Sequence, residues 1–243
     1  DYGVEGGEGN EEKYEAEANY FIEVIQFAST RKNIPFISIK ITGLVSSSLL
    51  EKLNTTLSSK STEPLSTRFN NRLDQLSHEE QAQWEQLITR TARLCQAASE
   101  AGIGIMIDAE ESWIQDAIDG LANEMMEKYN KKDFIVYNTI QLYRHDRLQF
   151  LKDSHAHAKQ NGYKLGFKLV RGAYMEKERA RAISTSCCSC CGRLETSRRG
   201  STEIFNRFRI SSALRSVSFQ SIPNLFLLWL WPIKTFSAIP RCG

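Results

Sequence analysis

A chain of 243 residues with 41% hydrophobic content can bury one sizeable core, and barrels of roughly 200 to 250 residues count as single domains. No apolar run approaches the roughly 18 residues that a bilayer helix needs, since the longest, residues 225–231, is bounded by Pro223 and Pro232. The net charge of +2 is unevenly spread: of 31 Lys/Arg eight fall in residues 183–243, and of 29 Asp/Glu two do, so the front carries −4 and the tail +6.

Along residues 11–30, Tyr14, Ala18, Phe21, Ile22, Ile25 and Ala28 recur at three- and four-residue spacing, the stripe of an amphipathic helix. Pro35 closes that element, and the β-branched and aromatic run 36–41 reads as a strand stopped by Thr42-Gly43. A Ser/Thr-rich stretch at 46–71 follows, part of it helical. Ser77 and Glu80 form a capping box ahead of Trp84, Leu87, Ile88, Leu94 and Ala98, which predicts a helix to about residue 100 ended by Ala101-Gly102. The cycle then repeats: strand 103–107, helix from Ser112, strand 134–137, helix through Leu148, Leu151 and Ala158, strand 164–170, and a helix from Met175. Short apolar strands alternating with helices indicate βαβ units and a parallel sheet.

Each strand carries unusual polar residues at its C-terminal end: Lys40, then Asp108, then Asn138 and Gln141, then Lys168 and Arg171. In a barrel those ends converge on the face where active sites are built. Buried charge is costly unless paired, so several strands ending in charge suggest a site. A doubly wound sheet would also bind ligands beyond its strand ends. Other readings stay open here: Lys40 and Asp108 as a structural ion pair, or Lys168 as a Schiff-base lysine. His78, His145, His155 and His157 read as helix-surface or loop residues, and no metal site is expected.

The segment Gly166-Phe167-Lys168-Leu169-Val170-Arg171-Gly172-Ala173-Tyr174 resembles a strand end of the proline dehydrogenases. Three more segments resemble that family in order: Ile39-Lys40-Ile41-Thr42-Gly43-Leu44, Ile107-Asp108-Ala109-Glu110-Glu111, and Tyr137-Asn138-Thr139-Ile140-Gln141-Leu142-Tyr143. The wording is nearest the stand-alone form and covers residues 1–182. The resemblance implies an α/β fold, a partial (β/α)₈ TIM barrel with parallel strands. It also implies FAD, oxidation of L-proline to 1-pyrroline-5-carboxylate, and a quinone as electron acceptor at a membrane surface. The implied location is cytoplasmic and peripheral at the inner membrane, with mitochondrial as the alternative.

On that resemblance Lys168 and Arg171 supply positive charge where the flavin becomes anionic. Gly172 and Ala173 let the backbone approach the ring, while Asn138 and Gln141 hydrogen-bond its edge. Lys40 suits the substrate carboxylate with Asp108 as a partner, and Tyr174 walls the substrate pocket.

After Ala182 the resemblance stops. The family's later strands and its paired arginines for the proline carboxylate are not recognisable, and Arg198-Arg199 with Glu203 are a misplaced echo. Residues 183–243 hold eleven Ser, no Asp and five of the six cysteines, including Cys187, Cys188, Cys190 and Cys191. Cys95 is the only thiol before them, which suits a reducing compartment. So abrupt a change predicts an irregular tail translated in another reading frame, and the start without Met or a basic presequence predicts an N-terminal fragment. The cysteine cluster lacks a well-spaced second ligand pair beyond Cys242, and the spread cations do not make a nucleic-acid surface. Weak turnover is expected, with an uncovered strand edge near residues 164–170. The alternative function is a non-catalytic product whose basic tail mediates binding or membrane contact.

Overall fold

The computed structural model describes residues 9–55, 75–144, 146–171, 174–186 and 225–229. Helix α1 (Glu11–Ser29) starts where the Asn10 side chain accepts from the Lys13 N–H at 3.0 Å. It buries the expected stripe of Tyr14, Ala18, Ile25 and Ala28. Strand β1 (Phe36–Ile39) gives way to a short 3₁₀ turn (Ile41–Gly43), and α2 (Ser47–Thr55) lies in the Ser/Thr-rich stretch. The capping box forms at the start of α3 (His78–Ala101): the Glu80 N–H donates to Ser77 Oγ at 3.3 Å and the Ser77 N–H to Glu80 Oε2 at 2.9 Å. Gly102 ends that helix at φ 66°, a left-handed conformation in which a Cβ is strained.

The alternation then runs β2 (Gly104–Ile107), α4 (Ser112–Tyr129), β3 (Val136–Gln141), α5 (Arg147–Asn161), β4 (Leu165–Val170) and α6 (Met175–Ser186). Strand β3 begins two residues later than expected and continues through Gln141, so Asn138 and Gln141 lie inside the ladder. A further strand, β5 (Leu225–Trp229), comes from the tail.

All neighbours pair in parallel and in chain order, β1-β2-β3-β4-β5. Unreversed order with a helix between successive strands is the arc of a (β/α)₈ barrel; a doubly wound sheet reverses order at a switch point. The expected uncovered edge at β4 is corrected by this pairing, because Leu165 to Leu169 register with Leu225 to Trp229. Its backbone groups are taken up in a ladder.

Alternation along each strand divides the residues between two faces. Ile37, Ile39, Ile105, Ile107, Val136, Ile140, Leu165, Phe167 and Leu169 join the main apolar core beneath the helices with Leu87, Leu94, Ile118 and Met125. The opposite face carries Phe36, Gly104, Met106, Tyr137, Thr139, Gly166 and Lys168. Its floor is aromatic: Phe36 and Tyr137 meet edge to face at 5.4 Å. A Cβ on Gly104 would lie 2.4 Å from the Phe36 ring, and one on Gly166 2.7 Å from the Tyr137 ring, so neither position has space for a side chain.

Candidate active site at the strand ends

Parallel pairing sets the ends of β1 to β4 side by side. The Asp108 N–H donates to the Ile39 carbonyl at 2.9 Å, which puts Lys40 and Asp108 at neighbouring strand ends. Thr139 registers with Lys168. The Lys168 ammonium crosses β3 on the inner face and pairs with the Asp108 carboxylate. That pair replaces the expected pairing of Asp108 with Lys40: continued register sets Asp108 level with Thr139 and hence with Lys168, which reaches it across one strand. The Lys168 side chain is only 7% exposed and that of Asp108 27% exposed, so the contact sets a counterion beside a buried ammonium.

Gln141 lies on the same face as Thr139 and is buried; its Nε2 donates to the Glu110 carbonyl at 2.5 Å. Asn138 goes to the other side. It registers with the core residue Phe167, and its Nδ2 donates to Asp119 of α4 at 2.9 Å. The structure therefore brings Lys40, Asp108, Gln141 and Lys168 to one mouth and leaves Asn138 beneath the helices. Arg171 follows β4 directly and is half-buried. Gly172 and Ala173 lie outside the described residues, as do His145, Cys187, Cys188, Cys190, Cys191 and Cys242.

Tyr174 opens α6 and lines a cavity of about 340 Å³ together with Thr42, Glu110, Glu111, Trp113 and Lys177. Helix α6 is tied over that cavity. Glu178 accepts from the Ser112 N–H and Oγ, both at 2.7 Å, closing the start of α4 with a negative charge where the helix dipole favours one. Lys177 pairs with Glu111 at 2.8 Å, and Arg181 lies 4.3 Å over the Trp113 ring.

Several residues here were not legible as site residues. Glu110 is buried, and its carboxylate accepts from the Thr42 N–H at 3.1 Å and Thr42 Oγ1 at 2.6 Å. Burial raises its pKa, Thr42 and Lys40 work against that rise, and Glu111 adds to it. Beneath the helices, Asp119 is fully buried and takes Arg147 at 2.5 Å, Gln115 at 2.9 Å and Asn138 at 2.9 Å. Burial raises the pKa of Asp116, and its neighbour Asp119 adds to the effect, against Arg144 and Arg147. A signal for this network existed in the four-residue spacing of Gln115 and Asp119 on one helix face, but its partners on β3 and α5 are far off in sequence.

Residues 4–190 match the family model described as proline dehydrogenase. The carbapenem antibiotics biosynthesis protein CarD of Pectobacterium carotovorum subsp. carotovorum is 31% identical over 179 residues, 74% of this chain and 43% of that protein. Proline dehydrogenase 1, mitochondrial, of Dictyostelium discoideum is 32% identical, covering 76% of this chain and 36% of its own length. The human protein of the same name is 38% identical over 120 residues, 49% of this chain and 19% of that protein. The chain thus spans less than half the length of these relatives. Among solved structures, the bifunctional proline utilization A (PutA) protein superposes with a TM-score of 0.61 over 92% of this chain and 20% of that one, at 17% identity. At that identity the likeness concerns the fold.

Proposed function

Because this chain belongs to the proline dehydrogenase family, we propose that it carries the front part of an FAD-dependent enzyme oxidising L-proline to 1-pyrroline-5-carboxylate, with a quinone as final acceptor. The observation that carries the reading is the gathering of Lys40, Asp108, Gln141 and Lys168 at the C-terminal ends of adjacent parallel strands, the face on which barrel enzymes work.

The donor chemistry at the mouth fits a flavin. Lys168 brings a buried cation to the inner face at the C-terminal strand ends, above the aromatic floor of Phe36 and Tyr137. A bound flavin would supply the two-electron acceptor. Lys168, with Arg171 beyond it, would hold positive charge against the developing anion, the preorganised electrostatics that such a step requires. Lys40 would bind the substrate carboxylate, and Tyr174 would wall the substrate side. Gln141, with its Nε2 given to the Glu110 carbonyl, would shape the mouth, with Gly172 and Ala173 giving close backbone approach as the resemblance implies. Oxidation removes a hydride from the ring carbon beside nitrogen and a proton from the nitrogen, leaving a C=N bond. Asn138 takes no direct part in this reading, since its amide is spent on Asp119.

No helix among the described residues is long and apolar enough to cross a membrane. On this reading quinone reduction takes place by peripheral contact. The relatives named as mitochondrial are compatible with a mitochondrial location as the alternative to the cytoplasmic one. We also propose a boundary near residue 182 between the barrel part and a tail of other origin. Helix α6 runs on to Ser186 and the family match to residue 190, so the last turn of α6 lies past that point. The family's paired arginines are not recognisable within residues 1–243, and on this reading turnover by that stretch alone is weak. The test is to express residues 1–243 with flavin and look for a flavin absorbance band that bleaches on adding proline. Absence of both the band and the bleaching would remove the enzyme reading for this chain.

A further inference from the structure

We propose that Glu110 is a positioning residue of the strand-end site, fixing the Lys40 turn, the Asp108 end of β2 and Gln141 of β3 relative to one another. The inference rests on these strand ends being the site, and on nothing about flavin.

One residue here ties three strands and a helix. Its carboxylate holds Thr42 by both the N–H, at 3.1 Å, and Oγ1, at 2.6 Å, which clamps the 3₁₀ turn after β1. Its carbonyl accepts from Gln141 Nε2 at 2.5 Å, and its N–H donates to Gln115 Oε1 of α4 at 2.8 Å. Lys40 stands two residues before Thr42, and Asp108 two before Glu110. Whatever sets Glu110 therefore sets where the ammonium of Lys40 and the carboxylate partner of Lys168 lie.

A carboxyl group at 3% exposure is a costly choice for a mere tie. A Gln would fill the same volume, but it could pair with both Thr42 groups only with the Thr42 hydroxyl turned from donor to acceptor, and it carries no charge toward Lys40. A carboxylate answers both. The groups bearing on it are Lys40 and Thr42 from the β1 side, Glu111 beside it, Gln115 from α4 and Gln141 from β3.

The experiment uses the full chain without added flavin, labelled with ¹³C-lysine, and follows the Cε–Hε resonances of Lys40 and Lys168, assigned by Lys→Arg variants. In Glu110→Gln both resonances are expected to move, while that of Lys152 on α5 stays in place. Thr42→Val, which removes only the hydroxyl donor, should reproduce part of the movement at Lys40, and Thr42→Ser should restore the wild-type position. A lowered thermal midpoint with Lys40 and Lys168 unmoved would reduce Glu110 to a structural tie and overturn the proposal. If Glu110→Gln does not fold, Thr42→Val decides: unmoved lysines overturn it, and a shift reversed by Thr42→Ser supports it. Loss of flavin binding in the wild type would count against the proposed reaction and would leave these resonances readable.

Discussion

The Lys168–Asp108 pair shows what charge at a strand end requires. Replacing Asp108 by Asn leaves the ammonium buried without its counterion, and breaking such a pair costs about 3–5 kcal/mol, at the lower end here because Asp108 is partly exposed. Lys168→Met removes the charge along with the need for a partner, so its urea midpoint should lie above that of Asp108→Asn. The reverse order would mean that the pair is weaker than its burial implies.

Asp146 gives a second residue-level test. Burial works against its ionisation, but Arg147 and Arg144 outweigh it and hold the carboxyl at about 2. A depressed acid contributes stability that is present above its unfolded pKa of about 3.9 and is lost as pH falls toward the folded value. Urea titrations at pH 5 and pH 2.5 should therefore show a smaller loss of stability on acidification in Asp146→Asn than in wild type. Cys95 behaves in the opposite sense, since complete burial pushes its thiol up to about 12. In peptide mapping after iodoacetamide at pH 8, Cys95 should remain unlabelled in the folded chain and react only on adding denaturant.

At the scale of elements, two glycines two residues apart do different jobs at the α3–β2 junction. Gly102 has φ 66° and open space around a would-be Cβ, whereas a Cβ on Gly104 meets the Phe36 ring at 2.4 Å and the Tyr137 ring at 3.1 Å. Gly102→Ala should cost about 1–2 kcal/mol through left-handed backbone strain alone. Gly104→Ala must also displace an aromatic floor, so its thermal midpoint should fall further. Equal losses would mean that Phe36 swings aside freely. The helix starts were readable in advance for a local reason: Ser77, Glu80 and the stripe of α1 act within a few residues. The β3 boundaries were not, because Asn138, Thr139 and Gln141 are polar and are drawn into the ladder by pairing with β4.

For the whole molecule, β5 decides whether β4 is an edge. Deleting residues 225–243 would expose the β4 ladder, a template for pairing with other chains. The deleted protein is expected to melt lower and to scatter light in a concentration-dependent way; an unchanged midpoint would show that β5 adds nothing to stability.

Chain order, the alternation of strands with helices and the charged strand ends could all be read from the residues, because spacing, caps and composition act locally. So could the family, through four short segments. Which face each polar residue takes could not. Every residue of β3 is buried, as in parallel sheets covered on both sides, so no alternation of polar and apolar residues reveals the faces. Only the folded sheet sends Asn138 to Asp119, gives Asp108 to Lys168 instead of Lys40, and draws Glu110 against Thr42. Those are contacts between residues 19, 60 and 68 positions apart, set by strand register and helix packing, for which no local pattern exists.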